Sequence, residues 1–153
     1  MQTGSTPATS EVMLDTNVLV YGFTPEDVWK QKAAVTLIND LLRQRRLVLS
    51  VQVLNEFYAA ITRPTRKVPL SPLDALLALR RFGTAGRVLP IDQRTTFLAV
   101  EAGLQHGLSF WDALIWAAAK ENNISLSYSE DFQGGRDVDG VRFQDPFRVP
   151  SNP

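Results

Sequence analysis

The stretch VMLDTNVLVY, residues 12–21, contains a short apolar run that ends at a carboxylate, Asp15. A short apolar run that stops at polar residues is typical of a buried strand. Similar runs alternate with helical patterns along the rest of the chain, which predicts an α/β fold with a mostly parallel sheet. In such a sheet, the residues that follow the strands converge on one crevice outside the carboxyl ends of the strands.

Three further carboxylates lie where an apolar run ends or a helix opens: Glu56 on the helix after Leu47–Val51, Asp112 at the start of Phe110–Ala119, and Asp131 after Ile124–Tyr128. Carboxylates that face one another raise each other's pKa unless a cation offsets their charge. Hard divalent ions such as Mg²⁺ prefer oxygen ligands. We therefore expect Asp15, Glu56, Asp112 and Asp131 to form a metal-dependent phosphodiesterase site.

The alternation predicts a central sheet of four to five strands with helices on both faces. The expected strands are Val12–Asp15, Leu47–Val51, Arg87–Ile91, Ile124–Tyr128 and a short last one at Val141–Phe143. Thr24 is expected to be the N-cap of the first long helix, because Pro25 follows it. Trp111 and Trp116 lie on an apolar helix and are expected in the core, whereas Trp29 is a candidate interface residue.

Composition restricts the class of protein. The chain has 153 residues, 16 basic and 16 acidic side chains, one histidine and no cysteine. Zero net charge excludes a wholly basic nucleic-acid binder but not a local basic patch. A lone His106 argues against a zinc hydrolase and a histidine-based triad, and the absence of cysteine excludes disulfides and suits the cytoplasm. No apolar run approaches the roughly 18–20 residues that cross a bilayer.

The expected organisation is one domain at residues 11–149, with a flexible leader at 1–10 and a loose end at 150–153. The leader is small and polar, without the basic start and apolar segment of a signal peptide.

Each carboxylate also has an ordinary structural explanation. Asp15 could be an Asx-turn or N-cap residue, and Glu56 could be a surface helix residue. Asp112 belongs to the capping box Ser109–Asp112, although a helix cap and a metal ligand are compatible roles. Glu130 competes with Asp131, because neighbours on an extended chain point in opposite directions.

Polar and basic residues near the carboxylates are candidate supporting groups. Thr16, Asn17 and Ser129 could hold a water or a phosphate oxygen, but they are also common turn residues. A basic set after the Glu56 helix could contact RNA phosphates, or could be a solvated loop: Arg63, Arg66 and Lys67.

Four short motifs resemble those of PIN-domain nucleases: Leu14–Tyr21, Val53–Phe57 with Thr62-Arg63-Pro64, Phe110–Ile115, and Tyr128–Gln133. The tail, with Asp139–Phe143 and Asp145-Pro146-Phe147, is similar to that of the VapC toxins of bacterial toxin–antitoxin pairs. Two residues depart from the pattern: Gly134 stands where a histidine is common, and Asp145 replaces the usual Asn. Neither is one of the four carboxylates, so they bear on substrate or partner rather than on chemistry.

The resemblance, which covers residues 12–147, implies a PIN-like three-layer fold and an endoribonuclease that depends on Mg²⁺ or Mn²⁺. It further implies hydrolysis to a 5′-phosphate and a 3′-hydroxyl, with ligands at Asp15, Glu56, Asp112 and Asp131. The implied partners are RNA, a cognate antitoxin and a second copy of the chain. Two alternatives stay open: a catalytically silent PIN-like module that binds RNA or protein, and a DNA-directed nuclease of the flap-endonuclease type.

Overall fold

The computed structural model describes residues 10–132 and 135–148, which contain six strands and six helices. The strands are β1 (Val12–Leu14), β2 (Leu47–Ser50), β3 (Arg87–Leu89), β4 (Leu126–Tyr128), β5 (Asp137–Val138) and β6 (Val141–Gln144). The helices are α1 (Thr16–Tyr21), α2 (Val28–Arg43), α3 (Val51–Ile61), α4 (Pro72–Ala85), α5 (Gln93–His106) and α6 (Phe110–Glu121).

The sheet has the order β3-β2-β1-β4-β6-β5, and only the β5–β6 pair is antiparallel. The chain runs outward from β1 to β2 and β3, then returns to place β4 on the other side of β1. The strand order therefore reverses between β1 and β4, where α/β sheets bind their ligands. In the β1–β4 register Leu14 lies opposite Tyr128, so Asp15 and Ser129 leave the sheet side by side.

Helices cover both faces of the sheet. Helices α1 to α4 pack on one another, whereas α5 packs on α6, and together they form the outer layers of a three-layer α/β fold. Every residue of β1 and β2 is buried, as expected for parallel strands covered on both sides. The small residues of α6 let it approach the sheet closely, and its residues 113–119 are all buried. The fold class expected from the sequence is thus confirmed.

Three expectations about local structure are wrong. The described residues hold six strands rather than four to five, because β5 has only two residues and pairs with β6 through a turn at Asp139 and Gly140. Thr24 does not cap α2; Asp27 does, by accepting a hydrogen bond from the Lys30 amide at 3.0 Å. Trp111 is not in the core, since it is 60% exposed.

Other expectations have mixed outcomes. Trp116 is buried, as expected, and its indole N–H donates to the Val138 carbonyl at 2.8 Å. The predicted leader, apart from Ser10, and the predicted loose end lie outside the described residues, as does Gly134. Asp145 accepts a hydrogen bond from the Phe147 amide at 2.8 Å and so stabilises a turn. None of the helices within the described ranges is long and apolar enough to cross a bilayer.

Candidate active site

Asp15 is the most buried of the four carboxylates. It follows β1 and is the N-cap of α1, where its Oδ1 accepts a hydrogen bond from the Thr16 amide at 2.6 Å. Its Oδ2 accepts one from the Ser129 hydroxyl at 2.8 Å. Burial raises the pKa of Asp15 to about 6, although the bonds from Ser129 and Thr16 oppose the rise. The negative charges of Glu56 and Asp112 add to it. Asp15 is therefore both a helix cap and a member of an acidic cluster.

Glu56 projects from α3 toward the start of α1. The Thr16 hydroxyl donates to its Oε2 at 2.7 Å, and the side-chain amide of Gln52 donates to its Oε1 at 3.0 Å. Both carboxylate oxygens are thereby oriented by the protein, which is unlike an ordinary surface glutamate. We did not identify Gln52 from the sequence, although its position one helical turn before Glu56 is a signal for such a pair.

Asp112 lies in the first turn of α6 and is half-buried. Its amide donates to the hydroxyl of the N-cap Ser109 at 3.3 Å, which is one of the two bonds of a capping box. Burial raises the pKa of Asp112, a hydrogen bond between its side chain and that of Ser109 opposes the rise, and the charges of Asp131 and Glu56 reinforce it. Its carboxylate thus faces the other acids of the cluster as well as its own helix.

Of the two neighbouring acids, Asp131 belongs to the acidic cluster and Glu130 does not. Asp131 is exposed and lines a small cavity of about 180 Å³ together with Asp112. Glu130 instead forms an ion pair with Lys30 at 2.9 Å and accepts a hydrogen bond from the Tyr21 hydroxyl at 3.0 Å. The bond with Glu130 raises the pKa of Lys30, and burial raises that of Tyr21.

Asn17 connects the loop after β4 to α1. Its side-chain amide donates to Asp131 Oδ2 at 3.2 Å and to Ser129 Oγ at 3.4 Å, and its Oδ1 accepts from the Glu130 amide at 3.3 Å. Thr16, Asn17 and Ser129 each donate to at least one of the four carboxylates. The candidate supporting residues therefore lie where the sequence suggested.

The basic residues after α3 separate into two kinds. Arg66 is largely buried: it contacts Glu26 at 3.6 Å and donates to the Ala60 carbonyl at 3.4 Å, so it holds the end of α3. Arg63 and Lys67 are exposed and can reach a ligand.

The acidic cluster contains the oxygen donors that a hard divalent cation prefers. Within residues 10–132 and 135–148, however, no three Asp, Glu or His side chains are close enough together to hold a metal ion. Three of the carboxylates are bonded to neighbouring protein donors instead: Ser129 for Asp15, Thr16 for Glu56 and Asn17 for Asp131. A buried Asp15 with a raised pKa fits a cation site, because a cation would offset the cost of its ionisation.

Comparisons with known proteins agree with this architecture. A toxin–antitoxin complex from Klebsiella pneumoniae shares 15% identity, with a TM-score of 0.67 over 91% of this chain and 100% of that chain. VapC20 of Mycobacterium tuberculosis, a toxin that cleaves the sarcin–ricin loop, shares 21%, with a TM-score of 0.61 over 80% of this chain and 92% of that one. DNA-bound VapBC from Salmonella typhimurium shares 17%, with a TM-score of 0.63 over 90% and 98%.

At these identities the solved structures establish the fold alone. A search of curated protein sequences gives no match. The model of the PIN domain family matches residues 12–134, a span that includes all four carboxylates of the acidic cluster. The chain therefore belongs to the PIN domain family.

Proposed function

We propose that this protein is a metal-dependent endoribonuclease and the toxin of a toxin–antitoxin pair of the VapBC type. The observation that carries the proposal is the convergence of Asp15, Glu56, Asp112 and Asp131 on one crevice at the strand-order reversal. The negative charge of Glu56 contributes to the raised pKa of both Asp15 and Asp112 there. The similar fold of VapC20, a toxin that cleaves an RNA loop, supports the choice of RNA as substrate.

The four carboxylates would hold one or two Mg²⁺ or Mn²⁺ ions. Such an ion, when bound, activates water and offsets negative charge as a phosphodiester is cleaved. The protein positions these ligands through the hydroxyls of Thr16 and Ser129 and the amides of Gln52 and Asn17. The products would carry a 5′-phosphate and a 3′-hydroxyl, and the site of action would be the cytoplasm, where RNA is abundant.

The test uses purified protein, free of any antitoxin, with mixed cellular RNA in Mg²⁺ or Mn²⁺, with and without EDTA. We expect discrete cleavage that EDTA abolishes and that Asp112→Asn reduces at least ~100-fold, since one ligand charge is lost. Ser109 remains the N-cap of α6 in this variant, so the protein should stay folded.

The matched control is Asp92→Asn, because Asp92 caps α5 and lies outside the acidic cluster. Asn is as good an N-cap as Asp, so this variant should cut RNA like the wild type. Equal cleavage by the Asp112→Asn and wild-type proteins would show that the site is wrongly assigned.

One observation favours the alternative of a silent RNA-binding module. Although the four carboxylates line one crevice, no three Asp, Glu or His side chains in the described part of the chain lie close enough together to hold an ion. RNA binding by a folded wild-type protein that cuts no RNA in either metal would support this reading over the nuclease.

We also propose a cognate antitoxin that covers the acidic crevice. Acidic pockets attract Arg and Lys side chains as well as metal ions. The relatives solved as toxin–antitoxin and DNA-bound VapBC complexes support such a partner. Co-expression with the small product of an adjacent gene should yield a stable complex with no nuclease activity. A chain that is stable and harmless when expressed alone would contradict this.

We further propose a homodimer, supported by an apolar stripe on α5. Phe97, Val100 and Leu104 share one face of the helix, are 57%, 47% and 85% exposed, and lie opposite its buried residues. An apolar stripe of this kind is typical of a protein interface. Leu104→Asp should convert a dimer to a monomer in light scattering, whereas Gln105→Asp, which adds the same charge beside the stripe, should not. A dimer that survives Leu104→Asp would place the interface elsewhere.

A further inference from the structure

A second cavity adjoins the acidic cluster, between α3 and α6. Its volume of about 570 Å³ is within the range of small-ligand sites, roughly 300–1,000 Å³. Its apolar lining comes from Val51, Ala59, Ile91, Trp111 and Leu114. We call it the α3–α6 cavity. It shares Glu56 with the acidic cluster, and Trp111 directly precedes Asp112.

The aromatic wall of this cavity is the exposed side chain of Trp111. Trp111 is 60% exposed, although it lies on a helix whose later residues are buried. The ring of Phe110 meets it edge-to-face, with the centroids 5.1 Å apart, and so limits its orientations. A fixed, exposed indole face is a surface on which a planar group can stack.

A buried polar group lies in the opposite wall. Gln52 is 6% exposed, and its Nε2 donates to Glu56 Oε1 at 3.0 Å and to the Trp111 carbonyl at 3.3 Å. Both partners are hydrogen-bond acceptors, so the atom that faces them is the amide nitrogen, and the amide oxygen points away from them. That oxygen is buried and has no hydrogen-bond donor within the described residues. Because this oxygen is fully buried, a ligand in the cavity cannot contact it, and Gln52 instead links Glu56 to the backbone of Trp111.

We propose that the α3–α6 cavity binds an unstacked nucleobase of the RNA, next to the phosphate held at the acidic cluster. Trp111 provides the stacking surface, and the exposed amide of Asn55, which also lines the cavity, bonds to the edge of the base. Single-stranded RNA is recognised in this way, by bases turned out onto aromatic side chains and bonded at their edges. The inference rests on the proposed ribonuclease function and assigns the residues that choose the nucleotide beside the cut.

A protein side chain is a poorer occupant than a base. An apolar side chain would remove water from the Glu56 carboxylate and from the Asn55 amide without replacing their hydrogen bonds. A base supplies both a planar face for Trp111 and edge groups that bond to the Asn55 amide.

The binding test uses the cleavage-deficient Asp15→Asn protein and a short single-stranded RNA that contains a cleavage site mapped with the wild type. Adding Trp111→Ala should weaken binding about 5- to 150-fold, the range for loss of one stacked base. Trp111→Phe should restore most of the affinity, because a ring is still present. Trp29→Ala removes another exposed tryptophan, 52% exposed and outside the cavity, and should leave the affinity unchanged.

An abasic nucleotide identifies the base that occupies the cavity. At one position beside the cleaved bond, an abasic nucleotide should weaken binding to the protein that retains Trp111. The same nucleotide should add little to the loss of affinity in the Trp111→Ala protein. In the catalytically competent background, Trp111→Ala should raise KM more than it lowers kcat and should relax the choice of nucleotide at that position.

The outcomes separate this inference from the proposed function. Additive effects of the abasic site and Trp111→Ala would overturn the base-binding assignment while cleavage by the wild type still stood. Trp111→Ala that abolishes dimerisation without affecting RNA affinity would assign the cavity to a second copy of the chain instead. If the wild type cuts no RNA, the abasic nucleotide is moved along a short single-stranded RNA that the protein binds. Coupling with Trp111→Ala at one position would then mean that the nuclease proposal fails and the base site stands.

Discussion

An Asp15→Asn variant should be more stable than the wild-type protein at pH 7.5 in EDTA, and should cleave RNA at least ~100-fold more slowly. Both effects have one cause, the burial of an ionisable carboxylate whose pKa is raised from 3.8 to about 6. Above pH 6 the native wild-type protein carries a buried charge that the unfolded chain solvates freely. Asn carries no charge and is an equally good N-cap for α1.

The pH dependence distinguishes this explanation from a packing effect. Between about pH 4 and pH 6 the native protein retains a proton that the unfolded chain has released, so wild-type stability falls as the pH rises through this window. A shift of about two pKa units corresponds to at most about 3 kcal/mol, and Asn forfeits one of the two carboxylate bonds. We therefore expect the Asp15→Asn variant to gain about 1–2 kcal/mol in free energy of unfolding at pH 7.5 and nothing below pH 4.

Urea unfolding in EDTA at the two pH values measures this gain, and addition of Mg²⁺ should reverse the ranking by stabilising the wild type alone. Asp131→Asn is the control, because Asp131 is exposed and should show no such gain. An Asp15→Asn protein that is less stable than the wild type at pH 7.5 would mean that burial of the ionised carboxylate does not destabilise the native protein.

Phe57→Ala should destabilise the protein by about 3–5 kcal/mol, a large part of the total stability of a domain. The Phe57 ring is fully buried, and it meets Phe23 and Phe82 edge-to-face with centroids 5.2 and 5.7 Å apart. Its loss opens a cavity between α3 and α4 and removes the anchor one residue after Glu56. Urea denaturation of both proteins measures the difference.

Phe57→Leu is the matched control, since it keeps most of the buried volume and should cost clearly less. RNA cleavage by the Phe57→Ala protein should also fall at a low temperature where the fold persists, because Glu56 is then held less firmly. A loss below 1 kcal/mol for Phe57→Ala would show that the aromatic trio is not a major support of the fold.

The positions of the acids could be predicted because they depend on where strands end. Asp15 and Asp131 follow β1 and β4, and adjacent parallel strands bring their carboxyl ends together whatever the side chains between them. The motif match favours Asp131 over Glu130 from the sequence, but the physical reason needs the structure, because Lys30 forms an ion pair with Glu130 across 100 residues of sequence.

Gln52 and Trp111 show what sequence pattern does not reveal. An apolar helix predicts burial, but Trp111 is in the first turn of α6, before its buried residues 113–119. Gln52 is a polar residue in a buried position, and only the contact between α3 and α6 shows that its amide bonds the Trp111 carbonyl. Thr24 and Asp27 are both good N-caps by type, so residue type alone does not choose between them.

The bond between Ser129 and Asp15 joins residues that are 114 positions apart, and β4 completes the sheet beside β1 at the same place. The crevice therefore cannot assemble on a ribosome until the segment from Leu126 onward has left the exit tunnel. Shorter products of translation that already carry Asp15 and Glu56 still lack the strand edge that completes the cluster. The order of synthesis thus delays assembly of the crevice until β4 has been made.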